Sequence, residues 1–269
     1  MSLPRLIATD LDGTLIGRDD RVSRRNAAAL ARASAAGAVI VLVTGRPVRW
    51  MPTVYEQLDS PYLAVCANGA VVYDPAADKV RDAWAIRPQL LAEVCAQLRA
   101  AIPDVSFAVE VDDGRLMRYE PSWPVRWDAG HPSAVPGSLA DLTAEPAVKL
   151  LARTPGADPD EFVVLVESIV DGRVVPTHSS FGGLVEMSAR GVTKATGLAT
   201  VAAELGIEAA DVLAFGDMPN DVPMLGWAGR SVAVSNAHPG ARAAAREVTL
   251  SNVDDGVAAY LERLLQPPV

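Results

Sequence analysis

The sequence predicts an α/β fold: a doubly wound, mostly parallel sheet with a smaller α+β domain inserted into it. Three observations predict it. Short β-branched apolar runs alternate with Ala-rich helical stretches from the N-terminus to about residue 84. The same alternation resumes near residue 187 and continues to the end of the chain. Between them, hairpin signals and isolated helices take over. A βαβα series builds a parallel sheet covered by helices on both faces. Neither end alone carries enough strands for such a sheet. The expectation is therefore one discontinuous core, residues 1–84 and 187–269, with 85–186 as the insert.

The first strand is RLIATD, residues 5–10. Ser23 is placed to cap the helix RRNAAALARASAAG, which Gly37 closes. AVIVLVTG, residues 38–45, is a continuous β-branched run, as expected of a parallel strand buried on both faces. VRWMPTVYEQL reads as a second, less regular helix. PYLAVCANGAVVYD reads as two strands about Asn68-Gly69, a dipeptide with a strong hairpin bias. In the insert, a helix runs from Pro88 to Ala101, and VSFAVEV and RLMRYE are strands around Asp113-Gly114. A Pro- and Trp-rich loop, residues 121–138, leads to the strand AVKLLAR, a helix after Asp158 and two strands near 173–188. The core returns with the helix KATGLATVAAELGI, the strand DVLAFGD and the short helix DVPMLGWAG. RSVAVSN is then a strand, and PGARAAAREV and GVAAYLERLL are helices. The tail QPPV reads as a frayed end.

Composition narrows the function classes. The 269 residues are half hydrophobic, enough for a sizeable core, and the formal charge of −9 argues against nucleic acid and anionic membrane surfaces as partners. A small anionic ligand stays open, because a few local cations or one metal ion suffice to hold it. The two cysteines, Cys66 and Cys95, lie in apolar segments and read as buried free thiols. His131, His178 and His238 are scattered and read as surface or loop residues. No basic region precedes an apolar stretch and a cleavage site, and no apolar run reaches membrane-spanning length. The expected setting is cytoplasmic.

Two aspartates at the end of an apolar first strand require a reason. Ligands of an open parallel sheet bind beyond the carboxyl ends of its strands. Three polar clusters fall there: DLDGT (Asp10 to Thr14), TGR (Thr44, Gly45, Arg46) and GDMPND (Gly216 to Asp221). Lys194 opens the helix before the last of these strands. Gathered in one crevice, Asp10, Asp12, Asp217 and Asp221 would repel one another. A hard divalent cation such as Mg²⁺ would relieve that repulsion. Lys194, Thr44 and a loop amide could hold a phosphate beside it, open to attack by a carboxylate. Each cluster alone has a plainer reading: a turn at Asp12-Gly13, a strand end at Thr44-Gly45, a solvated Lys194, a loop and cap at Asp217 and Asp221. Their order and placement together favour the chemistry.

DLDGT, TGR, a helix-opening lysine and GDMPND resemble, in order, the four motifs of the haloacid dehalogenase superfamily of phosphohydrolases. ANGAVVYD, the position of the insert, and AVSNAHPGARAAAREVTLSNVDDGV are similar to its Cof-like branch. The resemblance implies a Rossmann-like core with an α+β cap, and a Mg²⁺-dependent phosphatase of small phosphorylated metabolites. It implies Asp10 as nucleophile and Asp12 as general acid and base. The metal would lie on the Asp10 carboxylate, the Asp12 backbone carbonyl and Asp217, with Asp221 behind them. Phosphate would be held by Thr44, the Leu11 and Gly45 amides, Lys194 and Asn220. Gly13 would let the backbone turn tightly around the phosphoryl group. The third motif departs from the pattern, with Ala195 after Lys194 where glycine is usual. A phosphotransferase or mutase shares these motifs, and a phosphate-binding regulator is a third reading. Substrate choice would lie in the insert, where Glu110, Arg118, Glu120, Arg126 and His178 are candidates. Trp123 and Trp127 read as packing residues.

Overall fold

The computed structural model describes residues 3–17, 19–124, 130–180 and 182–266. Arg126 and Trp127 lie outside the described residues, as do the last three residues of the tail. The chain divides into two compact units. One comprises Met1–Arg46, Trp50–Arg81 and Thr193–Val269; the other comprises Pro47–Arg49 and Asp82–Val192.

The first unit opens with β1 (Leu6–Thr9), α1 (Arg24–Ala35), β2 (Val39–Val43), α2 (Met51–Tyr55), β3 (Leu63–Cys66), β4 (Val71–Asp74) and β5 (Lys79–Ala83). In the second unit follow α3 (Pro88–Ala101), β6 (Ser106–Val111), β7 (Leu116–Tyr119), β8 (Ala134–Pro136), α4 (Leu139–Leu142), β9 (Lys149–Arg153), α5 (Pro159–Val170), β10 (Val174–Thr177) and β11 (Leu184–Ala189). The chain returns to the first unit with α6 (Lys194–Glu204), β12 (Val212–Gly216), α7 (Val222–Trp227), β13 (Arg230–Ala233), α8 (Pro239–Ala244), β14 (Glu247–Val248) and α9 (Gly256–Leu265).

The sheet of the first unit has the order β14-β13-β12-β1-β2-β3-β4-β5. From β14 to β3 neighbouring strands are parallel; β4 returns antiparallel to β3 around Asn68-Gly69. All four β1 residues are buried, as a central strand with helices on both faces requires. The α1 N-cap is Ser23, whose Oγ accepts from the Asn26 amide at 3.0 Å. Buried Asn26, Ala29, Leu30 and Ala33 recur three and four residues apart, so one face of α1 meets the core. No helix among the described residues is long and apolar enough to cross a membrane.

Two elements of this sheet escape the sequence reading. β5 alternates exposed and half-buried residues and three of its five are charged, so no apolar run marks it. β14 occupies the stretch read as the end of a helix: α8 stops at Ala244, and Glu247–Val248 pair with β13 instead. Neighbouring strand backbone decides such an edge, not local propensity.

The second unit holds a sheet of order β10-β11-β9-β6-β7-β8, antiparallel except between β7 and β8. One face carries Phe107, Val109, Val111, Leu150, Ala152, Val185 and Met187 into a core with Leu91, Cys95 and Leu98 of α3 and Phe162 and Val166 of α5. β11 pairs with β10 out to Ala189 and with β9 as far as Met187, so it lies wholly in this unit instead of being divided at residue 186. β8 lies inside the stretch expected to be loop, recruited by β7. Both cysteines are fully buried thiols outside any disulfide, as expected. His178 lies in the loop after β10, within the surface-or-loop reading of the histidines, but is buried at 2% exposure, with Nδ1 at 3.2 Å from the Ser180 carbonyl.

Candidate active site

The parallel order β12-β1-β2 brings three carboxyl ends side by side. Thr9 is level with Phe215 and with Leu42, so the residues that follow emerge together: Asp10, Thr44 to Arg46, and Asp217. The Asp10 amide donates to the Phe215 carbonyl at 3.0 Å, which carries the sheet register one step into the site. Lys194 is the first residue of α6 and is 1% exposed.

Around that lysine stands a buried charge cluster. Lys194 Nζ donates to Asp10 Oδ1 at 2.5 Å and to Asp221 Oδ1 at 2.7 Å. Asp221 Oδ2 accepts from the Asp217 and Met218 amides at 2.9 and 3.0 Å, so its carboxylate fastens the loop as well as the lysine. The Thr14 hydroxyl donates to Asp217 Oδ1 at 2.8 Å. Carboxylate oxygens of Asp10, Asp217 and Asp221 all lie within 4.8 Å of one another. Burial pushes the Asp10 carboxyl well above its ordinary value against the pull of Lys194, with the other acids adding to the rise. Asp217 is pushed up to about 7, by burial first and Asp221 second. Burial works to lower the Lys194 ammonium, but Asp10 and Asp221 outweigh it and hold the proton more firmly than usual.

The backbone makes room for this crowding. Gly13 has φ +81°, and a Cβ there would stand 2.3 Å from Asp217 Oδ2, so only glycine fits. Asp12 projects differently from its neighbours. Its half-exposed carboxylate receives a two-pronged grip from Arg46, Nε at 2.8 Å and Nη2 at 2.6 Å, and the same guanidinium also reaches Asp20. Its side chain is therefore not part of the carboxylate cluster; a part in metal binding could come only from its backbone. Leu11 is buried, and its carbonyl accepts from the Thr14, Leu15 and Ile16 amides to close the loop. Thr44 is fully buried and its Oγ1 accepts from the Arg46 amide at 3.0 Å, with Gly45 between them. Asn220 is buried and donates to Asn68 Oδ1 at 3.0 Å.

Several contributors were not singled out from the sequence. Thr14 orients Asp217. Asn236 Nδ2 donates to the Gly13 carbonyl at 2.8 Å, and its Oδ1 accepts from the Asn252 amide at 2.9 Å. Asn252 Nδ2 in turn donates to the Ile16 carbonyl at 2.9 Å. These two asparagines, from SNAHPG and SNVDDGV, brace the DLDGT loop from the far end of the chain. Only their place in recurring Ser-Asn pairs hints at it.

The insert candidates among the described residues are bound up within their own unit. Glu110 pairs with Arg49, and Arg118 with Glu145 at 3.0 Å. Glu120 accepts from Arg99 and from the Phe107 amide, and Arg99 lies over the Phe107 ring at 4.9 Å. His178 Nε2 is 2.8 Å from Asp160 Oδ1. Trp123 packs with Ala108, Met117 and Leu151, as expected of a packing residue.

Comparison with known proteins adds a family. The sequence model described as haloacid dehalogenase-like hydrolase matches residues 7–261. The chain is 26% identical over 266 residues to the 5-amino-6-(5-phospho-D-ribitylamino)uracil phosphatase YitU of Bacillus subtilis, covering 96% of this chain and 97% of the relative. It is 27% identical over 241 residues to the HMP-PP phosphatase of Cronobacter sakazakii, covering 88% and 86%. A crystal structure from Streptococcus mutans superposes with a TM-score of 0.85 at 20% identity, over 97% of this chain and 99% of that one, which shows the fold. A haloacid dehalogenase-like hydrolase from Bacteroides thetaiotaomicron superposes with a TM-score of 0.77 at 26% identity, over 97% and 100%.

Proposed function

The chain belongs to the haloacid dehalogenase-like hydrolase family, and from that premise we propose that it is a Mg²⁺-dependent phosphatase of small phosphorylated metabolites. One observation carries the reading: Lys194 bridges Asp10 and Asp221 while Asp217 stands within 4.8 Å of both, at the ends of adjacent parallel strands. The relatives named above are phosphatases of 5-amino-6-(5-phospho-D-ribitylamino)uracil and of HMP-PP, which supports a sugar phosphate, nucleotide or phosphorylated cofactor as substrate.

The donor set suits Mg²⁺. Its atoms are all oxygen, as a hard cation prefers. Ionised together, the three carboxylates would leave an excess of two negative charges over one ammonium in a buried place, which a divalent ion would balance. Asp10, Asp217 and the Asp12 carbonyl would hold it, with Asp221 fastening Lys194 and the loop behind them. When bound, it supplies charge neutralisation for an anionic nucleophile approaching an anionic phosphoryl group.

The remaining chemistry belongs to the chain. An Asp10 oxygen attacks phosphorus, the bond from phosphorus to the leaving oxygen breaks, and an aspartyl-phosphate forms. Asp12 gives its proton to the departing alkoxide. It then takes a proton from water, whose oxygen attacks the aspartyl-phosphate and releases inorganic phosphate with Asp10 restored. General acid and base groups of this kind contribute roughly 10² to 10⁴ in rate. The exposed position of Asp12 suits traffic with the leaving group, and Arg46 sets its direction. Lys194, Thr44, Asn220 and the Leu11 and Gly45 amides would hold the phosphoryl oxygens. A cytoplasmic setting belongs to the same proposal; two buried thiols outside any disulfide suit a reducing compartment.

The test is inorganic phosphate release across sugar phosphates, nucleotides, phosphorylated cofactors and an aryl phosphate, with Mg²⁺ and then with EDTA. Turnover that EDTA and Asp10→Asn both remove is the expected result. Full turnover by Asp10→Asn would remove the nucleophile assignment. Phosphoryl transfer to an added sugar, in place of release, would make the chain a transferase.

A further inference from the structure

The turn Ala67-Asn68-Gly69 joins β3 to β4, yet its contacts reach three separate parts of the site. The Asn68 amide donates to the Thr44 carbonyl at 3.0 Å, and the Ala67 amide donates to the Arg46 carbonyl at 3.0 Å. Gly69, at φ +103°, lies so close to the start of α6 that a Cβ would stand 1.9 Å from the Thr193 carbonyl, one residue before Lys194. Gly197 closes the same approach from the helix side, where a Cβ would stand 2.8 Å from the Gly69 carbonyl. Asn68 itself takes the left-handed conformation, φ 58° and ψ 31°, and is 3% exposed. Hairpin geometry explains a left-handed residue here. It does not explain a buried amide side chain.

That side chain meets Asn220. Asn68 Oδ1 accepts one hydrogen of Asn220 Nδ2 at 3.0 Å, across 152 residues of sequence. The Asn220 amide carries a second hydrogen, and its Oδ1 is buried without a hydrogen-bond partner among the described residues. Buried acceptors are seldom left so; an ordered water commonly answers them, whereas a phosphoryl oxygen, itself an acceptor, can meet only the nitrogen. An amide free to rotate would also present nitrogen and oxygen interchangeably to a phosphate, one attractive and the other repulsive. An acceptor placed against Nδ2 removes that ambiguity.

We propose that Asn68 is a positioning residue for phosphate binding: it fixes the Asn220 amide so that the nitrogen edge, not the oxygen, meets the phosphoryl group. The inference rests on the phosphate-binding role proposed for Asn220. Asn68 touches no substrate. It acts through Asn220, and its backbone holds the turn against Thr44 and α6.

Asn68→Gly separates the two parts of this role. Glycine keeps the left-handed backbone and removes only the side chain. KM for a phosphate ester and the inhibition constant of inorganic phosphate are both expected to rise about tenfold, the scale of one neutral hydrogen bond, while kcat changes less than about threefold. In an Asn220→Ala background the same substitution is expected to add nothing. Unchanged phosphate affinity in Asn68→Gly, or an equal loss in the Asn220→Ala background, would overturn the proposal. A second readout is independent of turnover. The Asn220 side-chain amide resonances, assigned by their loss in Asn220→Asp, are expected to shift and exchange faster in Asn68→Gly. If the glycine variant does not fold, Asn68→Asp keeps an acceptor, and the charge-assisted bond is expected to move one Asn220 amide proton downfield; no movement overturns the pairing. Absence of phosphatase activity in the unaltered chain would sink the proposed function, while these resonances would still decide whether Asn68 governs Asn220.

Discussion

At the scale of single residues, the site is an argument about charge. Asp10 and Asp217 are buried carboxyls held above their ordinary range, so the folded chain keeps protons that the unfolded chain gives up. For Asp217 the sign follows directly. Without a cation, the stability linked to this group is full below its ordinary value of 3.8 and is lost as pH rises to about 7. On the proposed assignment, a divalent cation would replace the proton and reverse the trend. Mg²⁺ is thus expected to raise the melting temperature more at pH 8 than at pH 5.5, read by calorimetry; an equal rise at both pH values would refute the assignment of Asp217 as a ligand. Thr14 is the neighbour that tunes it. Thr14→Val removes the hydroxyl donated to Asp217 Oδ1 and is expected to weaken Mg²⁺ affinity roughly 10–100-fold, the usual effect of losing a ligand's orienting partner. Titration of Mg²⁺-dependent activity would measure it, and an unchanged midpoint would count against it.

Elements place those residues, and their ends matter more than their middles. α1 needs Ser23 to receive the Asn26 amide, so Ser23→Ala is expected to cost about 1 kcal/mol, read as a lower urea midpoint with an unchanged slope. That substitution removes a helix cap and none of the clustered carboxylates, and should leave kcat alone. The DLDGT loop is different, because its conformation is the site. Gly13→Ala would force a side chain into the left-handed region and into Asp217. The expected outcome is loss of phosphate release with the far-UV spectrum retained; wild-type turnover would show that the loop has another way to turn. Where a helix or strand has its own apolar pattern, the sequence places it well: α3 and α9 coincide with the stretches read from Pro88 to Ala101 and from Gly256 to Leu265. β5, β8 and β14 have no such pattern and exist because a neighbouring strand offers them partners.

At the scale of the whole chain, two units with separate cores share one polypeptide. The second unit centres on Phe107, which is fully buried among residues of α3, α5 and its own sheet. Phe107→Ala is expected to cost about 3–5 kcal/mol, measured by urea denaturation, because the vacated volume cannot collapse in a core held by two helices. A change below about 1 kcal/mol would mean that this core is loosely packed. Several charged residues of the same unit pair with one another, Glu120 with Arg99 and Arg118 with Glu145, so the identity of a residue there does not disclose a role in recognition.

The sequence by itself determined most of the strands and helices, the alternation that returns after the insert and the set of polar clusters at strand ends. It could do so because apolar periodicity is local, and because DLDGT, TGR and GDMPND are short motifs whose placement after a strand is itself written in the chain. Only the tertiary structure decided how those groups are wired. It turned the Asp12 side chain toward Arg46 and away from the three clustered carboxylates. It buried His178, and it brought Asn236, Asn252 and Asn68 to the site as braces. An asparagine carries no signature of the carbonyl or amide it will meet. Its partner lies up to 236 residues away, between Asn252 and Ile16, and is fixed by sheet order and register, not by anything in its neighbourhood of sequence.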